Sequence, residues 1–169
     1  SAFSAAREQG FEAGGHWVVK NGGMWLKDGE MSGLDFILSY RFKQHQWLLG
    51  AKQPVSLRIK SFSNLFEMQN ISADLQGTYP YSEGQPLTLS NVGVDMLNGH
   101  ISLSALRLPQ HDAAVLKLDK VDLSALFTAL KPKQFAMSGR VDGELPLFLN
   151  HPKWLVQNGW IANAGTLTL

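Results

Sequence analysis

The chain has no cysteine in its 169 residues. That absence excludes disulfides, thiolate nucleophiles, cysteine-bound zinc and iron–sulfur clusters together, and it suits an oxidising space such as a periplasm, where a stray thiol is a liability. Charge is also scarce. Asp, Glu, Lys and Arg make up 17% of the chain, against roughly 25% in ordinary soluble domains. Fifteen basic residues nearly cancel fourteen acidic ones, for a formal net charge of +1. No long-range field gathers nucleic acid or an anionic surface, so no nucleic-acid partner is expected. Long apolar runs are missing too: segments 36–40 and 113–118 are short and interrupted by polar residues, far below the roughly 18 residues of a membrane-crossing helix.

Chemical motifs are equally sparse. His16, His45, His100, His111 and His151 are scattered with no H-x-x-x-H pair, so no metal site is expected. There is no G-x-S-x-G elbow, P-loop or G-x-G-x-x-G pattern. Gly139 and Gly143 have G-x-x-x-G spacing, but Arg140 and Asp142 lie between them, which rules out a membrane packing face. Asp142 and Glu144 fall on one side of a strand and could form an acid/base pair; Ser138 and Arg140 share that side, and a solvated face is the simpler reading. Lys131 and Lys133 read as charge complementing a helix end. No catalytic residue, cofactor or metal is assigned.

What the chain does have is period-two alternation. From Leu34 to Phe42 the even positions Leu34, Phe36, Leu38, Tyr40 and Phe42 are large and apolar while the odd ones are mostly polar, the signature of a half-buried strand. Val55, Leu57 and Ile59 repeat the scheme, as do Ile71, Ala73 and Leu75, then Leu87 and Leu89. Further strands are expected at 16–20, 23–27, 46–49, 92–96, 100–108, 114–118, 135–149, 154–156 and 166–169. Asn21-Gly22-Gly23, Asp28-Gly29, Asn98-Gly99 and Asn158-Gly159 read as tight hairpin turns. One helix is expected, with Asp122 as its cap, Leu123, Leu126, Phe127 and Leu130 on one face, and Lys131-Pro132 ending it. Residues 1–13 suit a short helix or a strand equally. The expected fold is mainly β: a single segment over 1–169, cut from a longer protein, whose curved, mostly antiparallel sheet forms an open trough or incomplete sandwich with one short helix near 122–131.

The ordered set Leu89-Ser-Asn-Val-Gly-Val-Asp-Met-Leu-Asn-Gly99-His-Ile101, Leu118-Asp-Lys-Val-Asp122-Leu-Ser-Ala-Leu-Phe-Thr-Ala-Leu130, Met137-Ser-Gly139-Arg-Val-Asp-Gly143-Glu-Leu-Pro-Leu147 and Trp154-Leu-Val-Gln-Asn-Gly159-Trp-Ile-Ala-Asn-Ala-Gly165 resembles the C-terminal region of the AsmA-like family, which includes TamB and YhdP. His100 stands where the family often has a second glycine. The resemblance implies a long periplasmic protein held in the inner membrane of a Gram-negative bacterium by an N-terminal helix outside this chain. Its β-rich trough would carry phospholipid acyl chains toward the outer membrane, where a small lipoprotein could dock by strand addition. Under that reading the groove candidates are Leu34, Phe36, Leu38, Tyr40, Phe42, Val55, Leu57, Ile59, Leu87 and Leu89. A tail held this way gains roughly 0.8 kcal/mol per CH₂ removed from water, so no polar motif is needed. Two other readings stand beside it. One is a closed β-sandwich serving as a structural or interaction module. The other is a dicarboxylate-binding transport component, for which no cluster of Arg and Lys is evident.

Overall fold

A computed structural model describes residues 12–130, 139–150, 153–156 and 160–163. Its strands are β1 (Glu12–Leu26), β2 (Gly29–Lys43), β3 (Gln46–Leu49), β4 (Val55–Ser63), β5 (Glu67–Ser82), β6 (Gln85–Met96), β7 (Gly99–Leu103), β8 (Leu106–Leu108), β9 (Ala114–Asp122), β10 (Arg140–Asn150), β11 (Lys153–Val156) and β12 (Trp160–Asn163), with the helix α1 (Leu123–Leu130) between β9 and β10. All described strands belong to one sheet, and each pairing is antiparallel. The expected helix is present: the Asp122 carboxylate accepts the backbone N–H groups of Ser124 and Ala125 at 2.9 and 3.3 Å, satisfying donors that helix geometry leaves free. The expected strand at 166–169, the Asn158-Gly159 turn and most of segment 1–13 lie outside the described residues.

Long strands alternate with broken ones. β3 pairs with the far end of β2 at Tyr40–Lys43 and β4 with the near part at Glu30–Ile37, so the two lie end to end along one neighbour. β7 and β8 do the same along β6, and β11 and β12 along β10. The segment expected as one strand over 100–108 is therefore two, separated at Ser104 and Ala105. There the Ser104 hydroxyl accepts the Val115 N–H and the Ser104 N–H reaches the Val115 carbonyl, which keeps the broken strand attached to β9. Counting each end-to-end pair as one, the sheet has nine ranks from β1 to β11/β12. At 4.7–4.9 Å between ranks the sheet is about 38 Å long across its strands.

The hairpins show what sequence reading saw and missed. The β6–β7 turn at Leu97-Asn98 has φ of 53° and 57°, the doubly left-handed geometry that matches sheet twist, and the Asn98-Gly99 dipeptide announced it. Gln44-His45 adopts the same form, φ 53° and 61°, without a glycine. Asn21-Gly22-Gly23 is not a turn. It lies inside β1, which is one strand and not the expected pair, and Asn21 is a bulge: Lys20 and Asn21 together stand opposite Asp35.

Such bulges recur at one level of the sheet. Asn21, Asn70, Asn91 and Lys120 have φ between 49° and 52°, at register shifts between β1 and β2, β5 and β6, and β9 and β10. Each is met by an aspartate from the neighbouring strand. Asp35 accepts the Asn21 N–H at 2.8 Å and Asp142 the Lys120 N–H at 2.7 Å; Asp95 and Asp74 accept the side-chain amides of Asn70 and Asn91 at 2.8 and 2.7 Å. One extra residue reverses side-chain parity. In β6 the apolar positions run Leu87, Leu89, then Val92, Val94; in β9 they run Leu116, Leu118, then Val121. The bulges keep both halves of each strand presenting apolar residues to the same face while bending the strand, and that bend curves the sheet.

Candidate apolar groove

Residues directly opposite across an antiparallel pair share a face, so the register defines what lies together. One row runs Val19, Phe36, Leu57, Ala73 over four neighbouring strands. A second runs Val55, Leu75, Leu89, Leu106, and a third Tyr40, Leu49, Gly77, Leu87, Leu108. Leu34, Ile59 and Ile71 form another. Farther along, Val92, Leu103, Leu116 and Leu145 carry the face to β10. All ten residues expected from alternation therefore lie on one face. Sequence reading missed Trp17 opposite Leu38, Leu49 opposite Tyr40, and Leu75, Leu106 and Leu116, whose strands carried the same alternation.

No second sheet covers this face among the described residues. Among the described residues the buried apolar ones are Val55, Leu106, Ala114, Val121 and Val141, and no large side chain is fully enclosed. Trp17 is 64% exposed and Trp47 41%. Large aromatics are normally the first residues a core claims, so their exposure marks an open surface. At one end of the strands Phe42, Trp47 and Tyr79 stand in a cross-strand row. The Trp47 ring sits 4.7 Å from Phe42 and 5.8 Å from Tyr40, tilted by 55° and 52°. Below this aromatic lip, Trp17, Leu38, Tyr40, Trp47 and Leu49 enclose a concavity of about 470 Å³. That is within the size of sites that hold small apolar ligands.

The opposite face is mostly polar, although Val18, Trp25, Ile37 and Leu48 also lie on it. Asp74, 7% exposed, takes both guanidinium nitrogens of Arg58 at 2.8 and 3.2 Å as well as the Asn91 amide. The Arg58 bonds, with help from Asn91, hold the Asp74 carboxyl below its ordinary value against the opposing effect of burial. Asp95 is likewise lowered, first by the Asn70 amide and then by His100, whose Nδ1 is 2.6 Å away. A polar concavity of about 550 Å³ on this side includes Arg58 and Lys60 but also Asp35. With Arg58 committed to Asp74, it does not form a clamp for two carboxylates. Of the Asp142/Glu144 pair, Asp142 accepts the Lys120 backbone N–H at 2.7 Å. Among the described residues no group of three or more metal-ligating side chains occurs, and no helix is long and apolar enough to cross a membrane.

The described residues thus form an open, all-antiparallel sheet that leaves one apolar face exposed. Comparison with known proteins identifies the family. The sequence profile of the YdbH-like family, described as Intermembrane phospholipid transport protein YdbH, matches residues 1–169, and the chain belongs to that family. It is 52% identical over 168 residues to a protein of Escherichia coli (strain K12) named Probable phospholipid transport protein YdbH; the match covers 99% of this chain and 19% of that protein. The chain thus spans about a fifth of its relative's length. No solved structure matches it.

Proposed function

We propose that the chain is a section of a periplasmic conduit between two membranes, in which phospholipid travels with its acyl chains in the apolar trough. The observation that carries this reading is the lining itself: rows of Leu, Ile, Val and aromatic side chains run across the strands from β1 to β10 with nothing laid over them among the described residues. The family description and the name of the E. coli relative, both of which refer to phospholipid transport, support the cargo. A trough about 38 Å long exceeds the roughly 15 Å that one tail occupies in a leaflet, half of a 30 Å hydrocarbon core. Anchorage by an inner-membrane helix outside this chain and docking of a small outer-membrane lipoprotein by strand addition belong to the same proposal. Strand addition uses an unpaired sheet edge, and β1 is paired on one side among the described strands.

The test is to purify the intact protein without detergent and assay co-purifying phospholipid by mass spectrometry, then to repeat with Phe36→Asp, Leu38→Asp and Leu57→Asp. The expected result is bound lipid in the parent and loss of lipid in variants that still melt cooperatively. A parent that never carries lipid, with variants that unfold, would instead favour the closed sandwich.

A further inference from the structure

Beyond the line of bulges the apolar face continues into a row of different chemistry. Met24 stands opposite Met31, Met31 opposite Phe62, Phe62 opposite Met68, and Met68 opposite Met96. Four of the five methionines in the chain therefore meet in one row, although up to 72 residues of sequence separate them. The row shares the face of the Leu and Val rows. Gly93 pairs with Ser72 on the polar side, so Val92 and Val94 lie on the apolar side, and Met96 follows Val94 with no register shift between. The parity changes needed elsewhere fall at Gly33 in β2 and Asn70 in β5, both with positive φ, and at Lys60 in β4, which stands opposite both and is left out of the pairing on either side. The row lies near the strand ends opposite the aromatic lip and crosses five ranks, about 19 Å, comparable to one acyl chain.

We infer that this methionine row is the pliable lip of the trough and sets its tolerance for acyl chains of different shape; the inference rests on the lipid-carrying reading above. The two lips differ in kind. Trp47, Phe42 and Tyr79 have rigid rings with few torsions, whereas Met is unbranched, has three rotatable bonds and a polarizable sulfur, and repacks against irregular partners. Kinked unsaturated tails and straight saturated ones present different contours to the same groove. A rigid lip on one side and an adaptable one on the other accommodates both without widening the floor, where Val55 and Leu106 are buried. Exposure fits this role: Met24 is 52% exposed, while Met31, Met68 and Met96 are half-buried.

The same chemistry supplies the test. Hydrogen peroxide transfers one oxygen atom to a thioether; sulfur loses two electrons, the O–O bond breaks and water leaves, giving a polar sulfoxide. Intact protein is loaded from vesicles of phosphatidylethanolamine and phosphatidylglycerol with saturated or monounsaturated tails. Bound lipid is then quantified before and after peroxide, with peptide mass spectrometry locating the sulfoxides. Oxidation of the row is expected to lower bound lipid about tenfold, through the cost of setting a polar group against a tail, and methionine sulfoxide reductase restores it. The volume-conserving variant M24L/M31L/M68L/M96L keeps its saturated-tail load, loses preferentially the unsaturated tails, and resists peroxide. Met24→Gln, a polar change at an exposed position, reproduces part of the loss in a protein whose melting is unchanged. Full lipid retention with all four sulfurs oxidised, or unaltered tail selectivity in the leucine variant, overturns the methionine lip while leaving lipid carriage intact. Failure of the unoxidised parent to take up any lipid overturns both.

Discussion

Truncating Trp17 and truncating Leu106 should have opposite orders of effect on folding and on lipid. A Trp side chain presents about 200 Å², and Trp17 is 64% exposed, so folding hides about 70 Å² of it. At about 25 cal/mol per Å² the loss on Trp17→Ala is at most about 1.8 kcal/mol. Leu106 is 5% exposed, and Leu106→Ala should cost about 2–5 kcal/mol through lost burial and the cavity left behind. The smaller side chain is thus expected to matter more for stability. For lipid the order reverses: the remaining 130 Å² or so of Trp17 is surface that a tail can cover, worth up to about 3 kcal/mol, or about a hundredfold in affinity. Urea denaturation of lipid-free protein gives the first comparison, and lipid retained after transfer from vesicles the second. If Trp17→Ala costs about 3–5 kcal/mol, the usual penalty for an enclosed Trp, and exceeds Leu106→Ala, the face is covered and the open-trough argument fails.

Three other outcomes follow from the polar back and the backbone. Asp35→Ala removes the acceptor of the Asn21 N–H; the bulge should loosen at a cost of about 0.5–1.5 kcal/mol, with faster amide exchange at Asn21, while Asp35→Asn retains an acceptor and most of the protection. Asp74 and Asp95 are held below the ordinary carboxylate value of 3.8. Because the folded pKa lies below the unfolded one, their stabilisation is complete above about pH 5 and is lost as pH falls below about 4 through the folded values; Asp74→Asn should flatten that acid limb in a pH series of denaturation curves. Gly77 has φ of 134°, and a Cβ there would lie 2.1 Å from the Pro86 carbonyl oxygen, so Gly77→Ala should destabilise by about 3 kcal/mol or more, read as a lowered Tm.

Much of the sheet was legible because alternation is a property of each strand alone. Gln46–Leu49 was bounded correctly and the helix starts at Leu123 as expected, its expected end at Lys131-Pro132 lying outside the described residues; Leu34 to Phe42 lies within β2 with the expected residues on one face. What failed has a common physical cause. The parity slips at Leu89-Ser-Asn-Val92 and Leu118-Asp-Lys-Val121 are visible in the sequence, but they look like strand ends unless a bulge is allowed, and Asn21-Gly22-Gly23 looks like a turn for the same reason: residues that tolerate positive φ serve both roles. Which role wins depends on the neighbouring strand. At Asn21 it depends on Asp35, whose carboxylate is placed to accept the bulge N–H. The breaks between β3 and β4 and between β7 and β8 are likewise set by the long strand alongside.

The groove was less legible than the sheet, because a groove that runs across strands is made of one or two residues from each. The row Val55, Leu75, Leu89, Leu106 draws on four segments separated in sequence, and no local pattern joins them; the methionine row is the same case. This geometry bears on how the proposed cargo would move. A tail lying along the trough meets a new rank every 4.7–4.9 Å, and each rank offers side chains of similar area and chemistry to the last. Moving by one rank exchanges one set of apolar contacts for an equivalent set, so the several kcal/mol holding the whole tail, at roughly 0.8 kcal/mol per CH₂, is not lost at any step. A closed pocket of equal burial would bind as tightly but would have to surrender that whole contact at once to release its occupant. Strong retention with shallow steps along the axis therefore requires an apolar face that is uniform across ranks and open along its length. In this chain the aspartate-bound bulges keep the face uniform, and the exposed lips leave it open.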